Sequence, residues 1–472
     1  MLDFLDTHDQ GKHHVVLAAL CLALIAQQPP PPVTSTIVSA HAWVVRLGRE
    51  MGDSIWPGFR PDTIPVLYVM KGQGTLVLGW QGALPPGFTP FVDRPDAGWQ
   101  SSADRGAAST GTELAGHRAA QVVVSDSQDI ASLVGLTTHE AFHVFRAAAK
   151  KENAFLVTSY PVFDPENEAG MALEGRILAA AEVARTKAER RALARQFLAV
   201  RESRQRALGA ELAEFEQLAE LNEGLAEYAL VRSVQLAARH PDFSDRAGAE
   251  RLRAAKLAGL HQLTEDVTRS IRLRYYATGP ALGLLLDALA GPAWKTRLIS
   301  QDLTVQDALA DASGYRAPEL ALRRQAETRY VMSQLRSGAD SSVARLRVFR
   351  RAQVDSVLAA PGVQLVVTLE GRSLGLCGID PQNLLQVEPG VLLHTRWLQA
   401  CAGDALDATF TTPVVQDRAA QTLRAVVGAD STVQVSVAPD GGVRIESPLV
   451  SLRATKADVS RDGRVLTVKI KA

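Results

Sequence analysis

The chain reads as an α+β protein in three blocks: a β-rich N-terminal region, a central helical domain and a C-terminal all-β, sandwich-like domain. Three observations predict this. Short apolar runs broken by turn residues fill 36–128, and apolar residues at three- and four-residue spacing run through 129–342. Alternating runs around Asp-Gly turns then occupy 343–472. A chain of 472 residues is too long for one ordinary core, and its 46% apolar and 22% charged residues are those of a folded protein, so two or three domains are expected.

The first residues read as a targeting segment. VVLAALCLALIA (15–26) is an unbroken apolar run after Lys12, His13 and His14. It is short for a membrane span and suits the core of a signal peptide, placed at 1–28 with Ala23 and Ala26 near the cleavage point. Asp3, Asp6 and Asp9 are atypical of such a leader, and an uncleaved membrane anchor is the alternative. A Pro-rich tether follows at 29–35. Export to the periplasm or the extracellular space is expected, with no membrane span once the signal is removed. Leu20 before Cys21 makes a poor lipoprotein box, which leaves Cys377 and Cys401 in the mature chain, as a pair or as two free thiols.

In the β-rich block, TIPVLYVM (63–70) and GTLVLGW (74–80) flank Lys-Gly-Gln like a hairpin, and AAQVVVS (119–125) is a further strand. The helical block carries Leu193, Phe197, Val200 and Arg204 on one face, and likewise Leu218, Leu221, Leu225 and Tyr228. Its charged run RTKAERRALARQ reads as a solvated helix face. In the last block, 431–447 and 457–470 read as hairpins of a small sandwich or barrel.

Charge narrows the function. Lys plus Arg equal Asp plus Glu at 51 each, so no net field draws nucleic acid or anionic lipid, and neither is an expected partner. The chemistry concentrates in TTHEAFHVF (137–145), where His139 and His143 stand four apart with Glu140 beside the first. Chance yields one H-E-x-x-H in roughly 1% of such chains, so the motif carries weight. On a helix both imidazoles share a face and reach one ion, and Glu140 stands where it can take a proton from water activated there. Two partly buried histidines bonded to backbone are the structural alternative.

A catalytic zinc site needs a third protein ligand. LAELNEGLAEYALV (218–231) supplies Glu223, with Glu227 one turn on, placed to accept a hydrogen bond from a ligand histidine. Gly224 inside this helical pattern costs about 1 kcal/mol relative to alanine, which points to close approach of another backbone or of the metal. A solvated acidic face is the alternative for both acids.

H-E-x-x-H followed by L-N-E-G-x-A-x-Y, matched by Leu221, Asn222, Glu223, Gly224, Ala226 and Tyr228, resembles the gluzincin metallopeptidases, most closely their aminopeptidase N-like branch. The resemblance implies one Zn2+ per chain on His139, His143 and Glu223, with Glu140 as general base. In RYYATGPALGLLLDALAGPAWKTRL (274–298), Tyr276 and Gly279 match that branch's Tyr-x-x-Gly, which implies a phenol donating to the oxyanion of a tetrahedral intermediate. Tyr275 is the second choice, and packing of the helix end by both rings is the structural alternative.

The resemblance covers about residues 120–310, and two departures stand out. Glu223 follows His143 by 80 positions, a far longer gap than the aminopeptidase N-like branch has. No Gly-x-Met-Glu-Asn segment precedes the motif helix, so an exopeptidase is not implied. His41, His117, His240, His261 and His394 lack ligand spacing and read as surface or satisfied core residues. The expectation is an exported zinc metallopeptidase acting on a peptide or protein substrate through a Glu-assisted, metal-activated water. The alternatives are another zinc hydrolase on this scaffold and a non-catalytic envelope binding protein.

Overall fold

The computed structural model describes residues 33–91, 94–101, 109–263, 271–371, 373–380 and 383–471. The expected signal peptide lies outside the described residues, as does all of the expected tether before 33. The architecture is α+β, with strands, then helices, then all-β sheets, as expected. Among the described residues, one helix precedes the strands. α1 (Thr34–Ile55) occupies the end of the expected tether and the start of the expected β-rich block. Ile37, Ala40, Val44 and Leu47 are buried at three- and four-residue spacing, a helical period disguised by the β-branched residues among them. No helix among the described residues is long and apolar enough to cross a membrane.

The chain divides into two compact units, each built from separated stretches. Of the described residues, the first takes those up to Gly52, within Phe59–Phe145 and within Ser233–Gly248; the second takes those of Asp53–Gly58, Arg146–Arg232 and from Ala249 onward.

In the first unit, β1 (Val66–Met70) and β2 (Gly74–Leu78) form the expected hairpin, with Gly72 at φ 73° in the turn, a region that glycine enters without steric cost. They join β3 (Thr89–Phe91), β4 (Arg94–Ser101), β5 (Thr110–Leu114) and β6 (His117–Val124) in one sheet of order β3-β4-β2-β1-β6-β5. β1 pairs parallel with β6 and is buried along its whole length. Leu67 and Val77 pack on one face with Trp80, Phe88 and Ala119. On the other face, Tyr68 reaches α2 (Ile130–Phe145), which packs on β5 and β6.

The second unit holds α3 (Pro165–Val183), α4 (Lys187–Leu208) and α5 (Ala210–Ala219). α6 (Leu225–Arg239) and α7 (Arg246–His261) each divide between the two units. α8 (Tyr275–Ala290), α9 (Ala293–Ser300), α10 (Val305–Ser313), α11 (Leu320–Arg329) and α12 (Met332–Ala359) complete the helices. α4 opens on a capping box between Thr186 and Glu189, and its first turns are exposed as the charged run predicts. Further along, it buries Arg201 and Arg204. Glu174 of α3 accepts from both guanidinium groups, Glu220 accepts from Arg201 at 2.6 Å, and Glu216 takes two parallel bonds from Arg204 at 2.6 and 2.8 Å. The helical block runs past its expected end at 342. Val343, Leu346 and Arg350 stay buried at helical spacing, and the first C-terminal strand begins at Gln364.

The C-terminal strands are β7 (Gln364–Leu369), β8 (Gly375–Ile379), β9 (Leu384–Glu388), β10 (Val391–His394), β11 (Leu398–Cys401), β12 (Leu406–Phe410) and β13 (Val414–Asp417). β14 (Thr422–Val426), β15 (Gln434–Val437), β16 (Val443–Ser447), β17 (Val450–Ala454), β18 (Ala457–Asp462) and β19 (Val465–Ile470) follow. They form two sheets, β18-β19-β7-β14-β13-β10-β9 and β15-β16-β17-β12-β11-β8, around one apolar core that includes Leu365, Val367, Phe410 and Leu452. The two expected hairpins are β15–β16 and β18–β19. Cys377 and Cys401 are joined in a disulfide between β8 and β11, with Cα atoms 5.9 Å apart.

Candidate metal centre

α2 is buried on almost every side, from Ala131 to Phe142, so the sequence must satisfy its polar atoms internally. At its start, the Asp129 carboxylate accepts from the Ser132 amide at 2.8 Å and Asp245 accepts from the Ala131 amide at 2.9 Å. Both acids also suit the positive end of the helix dipole. Thr138 bonds back to the Val134 carbonyl, and Thr137 meets the Tyr68 hydroxyl at 3.1 Å, which in turn meets His41 Nδ1 at 3.3 Å. Burial, and next the nearby charge of Arg94, lower the His41 pKa to about 4, so it stays neutral behind the helix. Phe142 packs edge-on against Phe59, with ring centroids 5.3 Å apart.

The opposite face carries the motif. His139 and Glu140 are buried, His143 is half-buried, and the two imidazole rings stand 4.7 Å apart. Their Nε2 atoms face each other at 3.0 Å, close to the spacing of about 3.3 Å for two ligands on one tetrahedral zinc. One ligand atom from each of His139, Glu140 and His143 falls within 4.8 Å of the others. The group could hold a metal ion, and two imidazoles beside a carboxylate are a donor set that suits zinc.

In the second unit, Glu223 sits in a π-helical turn, Glu220–Gly224, between α5 and α6. Such single-turn widenings are frequent at functional sites. The close approach expected at Gly224 is that of another backbone: a Cβ added there would lie 3.1 Å from the Gly279 Cα of α8. The Glu223 carboxylate is buried and accepts from Arg272 at 2.7 Å. The same Arg272 nitrogen meets Glu152 at 2.6 Å, and Asn222 donates to the other oxygen of Glu152 at 2.7 Å. Glu227 pairs with Lys256 at 2.5 Å.

The two tyrosines part company here. Tyr276 is raised in pKa by burial, and then by the charge of Glu223 and a hydrogen bond to it, so its phenol stays protonated on the Glu223 side. Tyr275 is wholly buried, and its surroundings are Glu216, Tyr160, Arg204 and Glu220. Of the remaining histidines, His41 and His394 are buried core residues with one ring nitrogen each hydrogen-bonded, to Tyr68 and to Gln416, while His117 meets Trp80 edge-on at the surface. Arg272 and Glu152 escape a reading by motif, since 120 positions separate them; the one local hint is the arginine-rich RLRYY before the tyrosine pair. Compared with protein-family models, with curated proteins and with solved structures, the chain matches none.

Proposed function

We propose that the protein is an exported, zinc-dependent peptidase of gluzincin type. The observation that carries the reading is the buried His139, Glu140 and His143 group, with its two Nε2 atoms converging at 3.0 Å. His139 and His143 would hold the ion, and Glu223 is assigned as third ligand on the L-N-E-G-x-A-x-Y motif, supported by its π-turn. Zinc bound there supplies a Lewis acid that polarises a carbonyl and makes water acidic enough to attack at neutral pH. Glu140 accepts the proton of the attacking water and returns it to the leaving amine. Tyr276 donates to the oxyanion as charge develops. Glu227 is assigned to steadying a ligand histidine on the motif alone. The disulfide between Cys377 and Cys401 supports export, because such bonds persist in oxidising compartments.

Elemental analysis of the purified protein tests the reading: one zinc per chain is expected, lost in His139→Ala, His143→Ala and Glu223→Ala. No stoichiometric transition metal after zinc supplementation would overturn it and leave a non-catalytic binding protein.

Tyr276→Phe removes one hydroxyl and keeps the ring. Turnover of a cleaved peptide is expected to fall about 10²–10³-fold with zinc retained and substrate affinity little changed. Tyr275→Phe, by contrast, alters a hydroxyl surrounded by the buried ion pairs and should leave turnover near wild type. The opposite pattern would move the oxyanion role to Tyr275.

A further inference from the structure

Glu223 is held by its own unit in a way the motif does not explain. Arg272 puts a single nitrogen, Nη2, between two carboxylates, 2.7 Å from Glu223 and 2.6 Å from Glu152. Asn222, the residue before Glu223, donates to the second oxygen of Glu152 at 2.7 Å and to the Lys150 carbonyl at 3.3 Å. Lys150 in turn ion-pairs with Glu214 of α5. One closed circuit therefore runs Glu223, Arg272, Glu152, Asn222 and back to Glu223 along the chain.

The circuit has a chemical consequence. The Arg272 charge on one Glu223 oxygen, together with the hydrogen bond between Tyr276 and the same carboxylate, restricts how that carboxylate rotates. A lone arginine would also oppose a nearby cation, and Glu152, almost fully buried at 4% side-chain exposure, offsets that charge. The π-turn adds backbone rigidity, because the Arg146 guanidinium donates to the Leu221 carbonyl at 2.8 Å. Outer partners of this kind orient metal ligands, and their loss weakens affinity about 10–100-fold.

We infer that Arg272 and Glu152 are positioning residues that hold the Glu223 carboxylate ready for a metal ion, with Arg272 as orienter and Glu152 as the counter-charge that makes it tolerable there. The inference rests on the proposed zinc site and goes beyond it. It makes two opposed demands: losing Arg272 frees the carboxylate to rotate, whereas losing Glu152 alone leaves an uncompensated cation beside the ligand.

The test uses the full chain with zinc, and with cobalt(II) as a visible reporter of ligand geometry. Arg272→Gln should bind zinc about 10–100-fold more weakly in competition with a chelator, and its cobalt absorption should shift in position or intensity. Glu152→Gln should weaken zinc binding as well, and the double variant Arg272→Gln/Glu152→Gln should recover part of the Glu152→Gln loss, since the offending cation is gone. Arg272→Lys keeps a charge but carries it on a differently placed ammonium, so it should restore only part of the affinity. A purely structural role would lower the melting temperature and leave both metal affinity and the cobalt spectrum as in wild type. That outcome overturns the inference while the zinc site stands. A wild-type chain that takes up neither metal overturns the site itself, and the inference with it.

Discussion

Glu140→Gln is expected to keep its zinc and lose turnover by about 10²–10⁴-fold. The amide matches the carboxylate in size, so the packing of α2 around this buried position changes little. Its chemistry changes completely, because an amide neither accepts the proton of the attacking water nor returns one to the leaving amine. The loss is read against metal content: in the proposed site His139 and His143 supply the ring nitrogens, so elemental analysis should return the wild-type value. A variant that still cleaves peptides near the wild-type rate would remove Glu140 from the mechanism. Loss of zinc together with activity would show that Glu140 is a ligand instead.

The second large effect is on stability. Arg204→Met is expected to destabilise the protein by about 3–5 kcal/mol, the range for breaking a buried ion pair from one side. Arg204 is buried and donates to Glu174 at 2.7 Å, to Asn167 at 3.0 Å and twice to Glu216. Methionine fills similar space and offers none of these bonds. Burial alone would push the Glu216 carboxyl up; the charge and hydrogen bonds of Arg204 more than reverse this and hold it at about 2. A carboxyl depressed in this way stabilises the fold fully above its unfolded pKa of about 4.3 and loses that contribution as pH falls toward the folded value. The deficit of Arg204→Met should therefore be largest near neutral pH and shrink on acidification, as measured by denaturant unfolding at several pH values. A deficit independent of pH would assign the loss to packing.

Much of the fold follows from periodicity. The Lys-Gly-Gln hairpin and the two C-terminal Asp-Gly hairpins are legible because alternation and turn chemistry agree there. α1 is hidden because Thr, Ile and Val favour strands locally, and its helical period shows only when Ile37, Ala40, Val44 and Leu47 are read together. The end of α12 is missed for a related reason, since Leu346 and Val348 alternate with arginines as in a strand, and the helical period shows only in the buried positions Val343, Leu346 and Arg350. At the site, His139, Glu140 and His143 are legible because i and i+4 positions must share a helical face. The circuit around Glu223 is not, since its members come from three separate segments. Spacing groups Arg204 with the apolar face of its helix, but the partners that make its burial and that of Arg201 tolerable, Glu174, Glu216 and Glu220, are tertiary and show in no local pattern.

The bond from the Ala131 amide to Asp245 also makes the motif helix a poor subject for study in isolation. A peptide of Ile130–Phe145 keeps both histidines but loses a carboxylate that closes the helix start from 114 positions away. Short isolated helices are marginal in water, so such a peptide would hold its two imidazoles in register for only part of the time. Metal uptake by the peptide would therefore understate what the folded unit can do.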